Sequence, residues 1–136
     1  MPPKILYIQD EPLNTRSLHN MLKFSGYDVT IAQTGNDGIE MAQIVQPDVI
    51  LLDLDLPNID SFEVAKRLRD QSIFNHVPIM VLSAHASPQA RRDAFAAGCN
   101  SYITKPTGSI ELMRRLQQYL THMTSAQGDQ FHNKPQ

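Results

Sequence analysis

The sequence predicts an α/β fold, a five-stranded parallel sheet with helices on both faces, and three observations point to it. Short apolar runs alternate with stretches of helical periodicity five times between residues 4 and 120. The longest aliphatic run, Val49-Ile50-Leu51-Leu52, is too short for a helix and has no polar side, as suits a strand buried on both faces. The runs also end on polar or charged residues, and in an open parallel sheet those ends form one edge, the edge at which ligands bind.

The first strand is Lys4 to Ile8, stopped by Gln9-Asp10-Glu11-Pro12. Pro12 suits the first turn of a helix over about 13–25, whose apolar face carries Leu18, Met21 and Leu22 and whose stop is Gly26. Tyr27 to Ala32 reads as a second strand broken at Gly35. Ile39 and Ala42, with Met41, Ile44 and Val45, then supply the apolar side of a second helix ending before Pro47. The central strand closes on Asp53 and a turn at Pro57-Asn58-Ile59-Asp60. A third helix follows through Phe62, Val64, Ala65 and Leu68 to about Asp70, then a polar connection to Val77-Pro78. Ile79 to Leu82 is the fourth strand and ends on Ser83-Ala84-His85. Ser87 and Pro88 start a fourth helix that carries Ala90, Ala94, Phe95 and Ala97 and stops at Gly98. Ser101 to Thr104 is the fifth strand, running into Lys105-Pro106. Ser109 caps a last helix with Leu112, Met113, Leu116, Tyr119 and Leu120 on one face.

With 136 residues and 41% hydrophobic content there is material for one substantial core, so a single domain over 1–122 is expected. Residues 123–136 lack periodicity and read as a disordered tail. A net charge of −2 and a pI near 6.2 leave no basic footprint for nucleic acid, the Arg91-Arg92 and Arg114-Arg115 pairs being isolated. The single cysteine, Cys99, rules out an internal disulfide and a thiolate metal site, and the five histidines lack the spacing of a zinc site. Without a basic-then-apolar leader or an 18-residue apolar run, neither export nor membrane insertion is expected, and the cytoplasm is the expected compartment.

Four strands deliver polar groups to one edge: Asp10 and Glu11, Asp53 and Asp55, Ser83, and Lys105. Carboxylates, a hydroxyl and an ammonium arriving together suit a hard cation and a phosphoryl group. Mg²⁺ takes oxygen from one or two carboxylates and leaves its other positions to water and phosphate. A lysine supplies a point charge for phosphate oxygens and a serine a hydrogen bond. Taken singly, Asp53 also reads as a turn cap, Glu11 as a first-turn acid favouring the helix dipole, and Tyr102 as a half-buried strand aromatic.

Over roughly residues 4 to 121 the chain resembles the response-regulator receiver domains of two-component signalling. The resemblance rests on Ile8-Gln9-Asp10-Glu11-Pro12, on Leu52-Asp53-Leu54-Asp55-Leu56-Pro57 with Asn58-Ile59-Asp60, on Leu82-Ser83-Ala84, and on Tyr102-Ile103-Thr104-Lys105-Pro106. It implies a doubly wound, flavodoxin-like sheet of strand order 2-1-3-4-5. It implies that Asp53 accepts a phosphoryl group from a histidine kinase or phosphotransfer protein, the domain catalysing its own phosphorylation and dephosphorylation. Asp10, Asp53 and Asp55 are the implied Mg²⁺ set, Lys105 the phosphate-binding lysine, Ser83 and Tyr102 the switch pair, and the Lys105-Pro106 bond is implied to be cis. The fourth helix, fifth strand and fifth helix, roughly 88 to 119, become the face for a downstream protein partner, with homodimerisation left open. Asp55 and His85, each two residues beyond an active-site position, are the implied tuners of phosphoryl lifetime.

Three positions depart from the family pattern. Gln9 stands where an acid is usual and takes one negative charge from the metal site; Ser61 replaces a glycine and strains the turn if that position needs positive φ; Thr107 replaces an aromatic. Two other functions compete with a phospho-acceptor switch. One is an unphosphorylated receiver that serves as a constitutive binding module, because Gln9 weakens Mg²⁺. The other is a phosphohydrolase using Asp53-Leu54-Asp55 as a DxD motif, against which Pro57 and the third-strand position stand.

Overall fold

The structure, a computed structural model, describes residues 2–9, 12–54, 60–84, 87–104 and 111–121. Five parallel strands form one sheet in the order β2-β1-β3-β4-β5. They are β1 (Lys4–Ile8), β2 (Asp28–Ala32), β3 (Val49–Asp53), β4 (Ile79–Ser83) and β5 (Ser101–Thr104), alternating with α1 (Pro12–Phe24), α2 (Gly35–Val45), α3 (Ser61–Arg69) and α4 (Pro88–Ala96). Every residue of β3 and β4 is buried, which is why the Val49–Leu52 run needs no polar side. Leu6, Ile8, Ile50, Leu52 and Val81 point to one side of the sheet and pack with Ala42 of α2, Val64, Ala65 and Leu68 of α3, and Ala94 of α4. The residues between them, among them Ile5, Tyr7, Leu51 and Met80, are buried on the opposite face.

The helix boundaries have local causes. Gly35 begins α2 rather than merely ending the strand before it: the Thr34 hydroxyl accepts from Asp37 N at 3.0 Å and caps the helix. Three residues on, Gly38 lets α2 approach β1 so closely that a Cβ there would sit 2.5 Å from Ile8 Cδ1. Asp60 and Ser87 cap α3 and α4 in the same way as Thr34, and Pro88 occupies the first turn of α4 as its fixed φ allows.

Four expectations about packing change. Ile44 and Phe95 lie outside the core, 76% and 42% exposed, since α2 and α4 each turn a narrower apolar stripe to the sheet than the sequence suggests. The connection after α3 is not simply polar. It holds a 3₁₀ turn over Ser72–Phe74, and Phe74 is fully buried in the main core cluster. Tyr102 is likewise buried rather than half-buried. A separate compact unit, Thr107–Gln136, contains α5 over 111–121. Its Leu112 and Leu116 are buried, and Glu111 accepts from both Arg114 and Arg115 one turn on. The expected cap at Ser109, the Lys105-Pro106 bond, Thr107 and the tail from 123 lie outside the described residues.

Candidate functional site

Asp53 is the last residue of the central strand, and its side chain is almost fully buried, 2% exposed. Isolated burial of a carboxylate is costly, so its partners define the site. The β1–β3 register pairs Ile8 with Leu52, which sets Gln9 beside Asp53 on the same face of the neighbouring strand. Gln9 N donates to Ala32 O at 2.8 Å, carrying the β1–β2 ladder one residue further and fixing the backbone there. From that anchor, Gln9 Nε2 donates to Asp53 Oδ2 at 2.6 Å, a short, charge-assisted bond between two buried side chains. A carboxylate acceptor settles which end of the amide points at Asp53, because only the NH₂ end can donate.

Tyr7 lies two residues before Gln9 on the same face of β1 and is 3% exposed. Burial pushes its phenol up to about 12; a hydrogen bond from Gln9 pulls the other way, and the Asp53 charge adds to the rise. Tyr7, Gln9 and Asp53 therefore form one buried polar row. In the sequence Tyr7 is only an aromatic in an apolar strand; its two-residue spacing from Gln9 is the signal that sets it on the face of the site.

Ser61 was the second residue whose part was missed. It is the first residue of α3, in helical conformation, so no positive φ is demanded of it and the expected strain is absent. Its hydroxyl donates to the Asp53 backbone oxygen at 2.8 Å and is buried, tying the start of α3 to the end of β3. On the other side of Asp53, Leu54 N donates to Leu82 O at 2.8 Å and prolongs the β3–β4 ladder. Ser83 ends β4 and is fully buried. Tyr102 pairs with Val81 in the β4–β5 register and packs in the α2–α3–α4 core cluster.

The structure thus brings Gln9 and Asp53 into contact and puts Ser83 at the end of the adjacent strand. Asp10, Glu11, Asp55, His85 and Lys105 lie outside the described residues. Among the described residues no three acids, histidines or cysteines cluster closely enough to hold an ion. A Mg²⁺ ion needs only one or two carboxylates besides water and phosphate, a demand that Asp53 meets in part. Gln9 presents N–H rather than oxygen towards it.

A family model described as the response regulator receiver domain matches residues 5–117. The chain belongs to that family. Receivers of two-component signalling are therefore its relatives, and the strand order expected from the resemblance is the one observed. The chain is 34% identical over 128 residues to the response regulator MprA of Mycolicibacterium vanbaalenii, covering 94% of this chain and 54% of that protein. It thus spans about half the length of that relative. It is 28% identical over 120 residues to the polar-differentiation response regulator DivK of Brucella anthropi, covering 88% of this chain and 98% of DivK. Among solved structures, the receiver domain of the sensor histidine kinase PA1611 from Pseudomonas aeruginosa superposes with a TM-score of 0.82 at 33% identity, covering 89% of this chain and 99% of that one. That receiver was solved with a magnesium ion coordinated in its active site cleft. No helix among the described residues of the present chain is long and apolar enough to cross a membrane.

Proposed function

We propose that this receiver is a phospho-acceptor switch in which Asp53 takes a phosphoryl group from a phosphohistidine of a sensor kinase or phosphotransfer protein. The observation that carries this reading is a buried carboxylate at the carboxyl end of the central strand, held at one oxygen by a side chain of the neighbouring strand. An Asp53 oxygen attacks phosphorus, the phosphorus–nitrogen bond of the donor breaks, and the imidazole leaves. Asp53, Asp10 and Asp55 would hold the metal, and a bound Mg²⁺ supplies positive charge against the oxygens of the transferring group. Lys105 adds a second positive charge and Ser83 a hydrogen bond to the same oxygens. Asp55 and His85 then act on the lifetime of the acyl phosphate.

The phosphoryl group adds up to about two negative charges at a buried site, and the response is a shift between two packings rather than a new shape. Ser83 and Tyr102 are the pair assigned to that shift. Tyr102 is packed inward in the described state, and residues 88 to 119 are the proposed docking face for the downstream protein.

The test is intact mass after incubation with acetyl phosphate and Mg²⁺. Wild type should gain one phosphoryl mass and Asp53→Asn none; a gain in Asp53→Asn would remove Asp53 from the role. One observation favours a second reading, a constitutive binding module that is never phosphorylated: the short Gln9–Asp53 bond already engages the acceptor. No mass gain in wild type, under conditions that modify a known receiver, would select it.

A further inference from the structure

Gln9 is more than a missing charge in this site. An acid at position 9 would set two carboxylates against each other on adjacent strands, and a buried pair of that kind needs a cation to be tolerable. Here the position carries a neutral side chain whose N–H lies 2.6 Å from Asp53 Oδ2, with both residues 2% exposed. The backbone of Gln9 is pinned by its bond to Ala32 O, and Tyr7 lies beneath the amide on the same face.

We propose that Gln9 is a positioning residue, a clamp that holds the Asp53 carboxylate oriented in the metal-free protein and weakens the hold of a divalent cation on Oδ2. The proposal deepens the phospho-acceptor reading and rests on it for its biological use. Two consequences have opposite signs. Without metal the clamp stabilises the fold, because it satisfies a buried charge. Towards metal it competes, since the N–H donor occupies one of the two lone pairs of Oδ2 and draws electron density from an oxygen that a cation would use. An ordinary structural residue would not combine these effects, because its loss weakens the fold and the site together.

The experiment measures Mg²⁺ affinity by calorimetry and metal-free Tm for unphosphorylated wild type, Gln9→Glu and Gln9→Met. Methionine has a similar length and neither charge nor donor, so it separates loss of the clamp from gain of a charge. Gln9→Met should lower the metal-free Tm by about 2–8 °C and tighten Mg²⁺ by roughly threefold to tenfold. Gln9→Glu should lower the metal-free Tm further, tighten Mg²⁺ more, and recover its Tm when Mg²⁺ is added. A second readout is tyrosine emission, which the absence of tryptophan leaves unmasked. Mg²⁺ should change it in wild type, and Tyr7→Phe should remove most of that change.

Unchanged or weaker Mg²⁺ binding in Gln9→Met overturns the clamp, even if Gln9→Glu binds more tightly, for then charge alone accounts for position 9. If Gln9→Met does not fold, Gln9→Leu takes its place with the same expectation and the same overturning result. Acetyl phosphate labelling run in parallel keeps the two ideas apart. Labelled wild type with unchanged affinity in Gln9→Met sinks the clamp alone; tightened affinity without labelling sinks the phospho-acceptor reading alone.

Discussion

The two edges of this sheet both hold polar side chains in hydrogen bonds, and they do so with different kinds of partner. At the amino edge, below β4 and β5, Arg69 Nε donates to Gly98 O at 2.9 Å, Nη1 to Phe74 O at 2.5 Å and Val77 O at 2.8 Å, and Nη2 to Asn100 Oδ1 at 2.7 Å. Asn100 Oδ1 also accepts from Ile79 N at 2.9 Å, so one guanidinium joins α3, the 3₁₀ turn and the starts of two strands. The positive φ of Gly98, +106°, brings its carbonyl to that cation, and a Cβ there would lie 2.6 Å from Arg69 Cγ. Most of these acceptors are backbone carbonyls. Exchanging any of them means dismantling the edge. At the carboxyl edge the buried charge belongs to Asp53, and the Gln9 group that meets it is a side-chain amide, which can turn away without disturbing a strand. The first arrangement fixes register; the second keeps a charged group in place yet exchangeable, as an acceptor must be.

Substitutions at the two edges should therefore separate stability from chemistry. Asp53→Asn is expected to abolish phosphoryl gain while leaving the urea midpoint equal or higher, since a buried charge is removed and its hydrogen-bonding shape kept. Intact mass and a denaturation curve on the same sample check both halves. Arg69→Met is expected to do the reverse. Loss of its donors to three carbonyls and one amide should cost about 2–4 kcal/mol by urea denaturation, with the folded protein labelled at the wild-type rate. Slower labelling of folded Arg69→Met would show that the amino edge also shapes the acceptor, and the contrast would fail.

Ser61→Ala probes the carboxyl edge without touching a charge. Its hydroxyl serves the Asp53 carbonyl at 2.8 Å, so the loss should be about 1 kcal/mol. Labelling by acetyl phosphate should slow by a few-fold, because the strand end carrying the acceptor is less firmly held. An unchanged rate would assign Ser61 to stability alone.

The fold was legible because each strand is a short apolar run and several helix ends carry their own punctuation: Pro12 and Ser87-Pro88 at starts, Gly26 and Gly98 at stops. Asp53 was legible for the same reason, being the first charge after the longest apolar run. What escaped was pairwise. Nothing in the local sequence says that Ser61 reaches back eight residues to Asp53, or that the guanidinium of Arg69 gathers carbonyls up to 29 residues away. Phe74 was hidden among polar neighbours, and Ile44 and Phe95 showed periodicity without burial, because period marks a face and not how wide a face the sheet covers. Gln9 was read as a charge deficit; its donor role needed the β1–β3 register.

The smallest expected effect is at alkaline pH, where each edge has one buried group that resists ionising. Burial pushes the Cys99 thiol from its ordinary value near 9 up to about 11, with the Arg69 charge pulling the other way, and pushes the Tyr7 phenol from 10 up to about 12. Both groups bind their proton more tightly folded than unfolded. The stability they contribute is complete below the unfolded pKa and is lost as pH rises through the folded one. The Cys99 loss accordingly spans about pH 9 to 11 and the Tyr7 loss about pH 10 to 12. At pH 9.5 this amounts to roughly 0.8 kcal/mol for Cys99 and about 0.2 for Tyr7. Cys99→Ala should therefore flatten most of the fall in stability between pH 9 and 10, and Tyr7→Phe should change that interval much less and flatten mainly the interval above it. Urea midpoints at half-unit steps resolve the two. If Tyr7→Phe flattened neither interval, the folded phenol would be ionising near its ordinary value, and the carboxyl edge would be wetter than the 3% exposure of Tyr7 indicates.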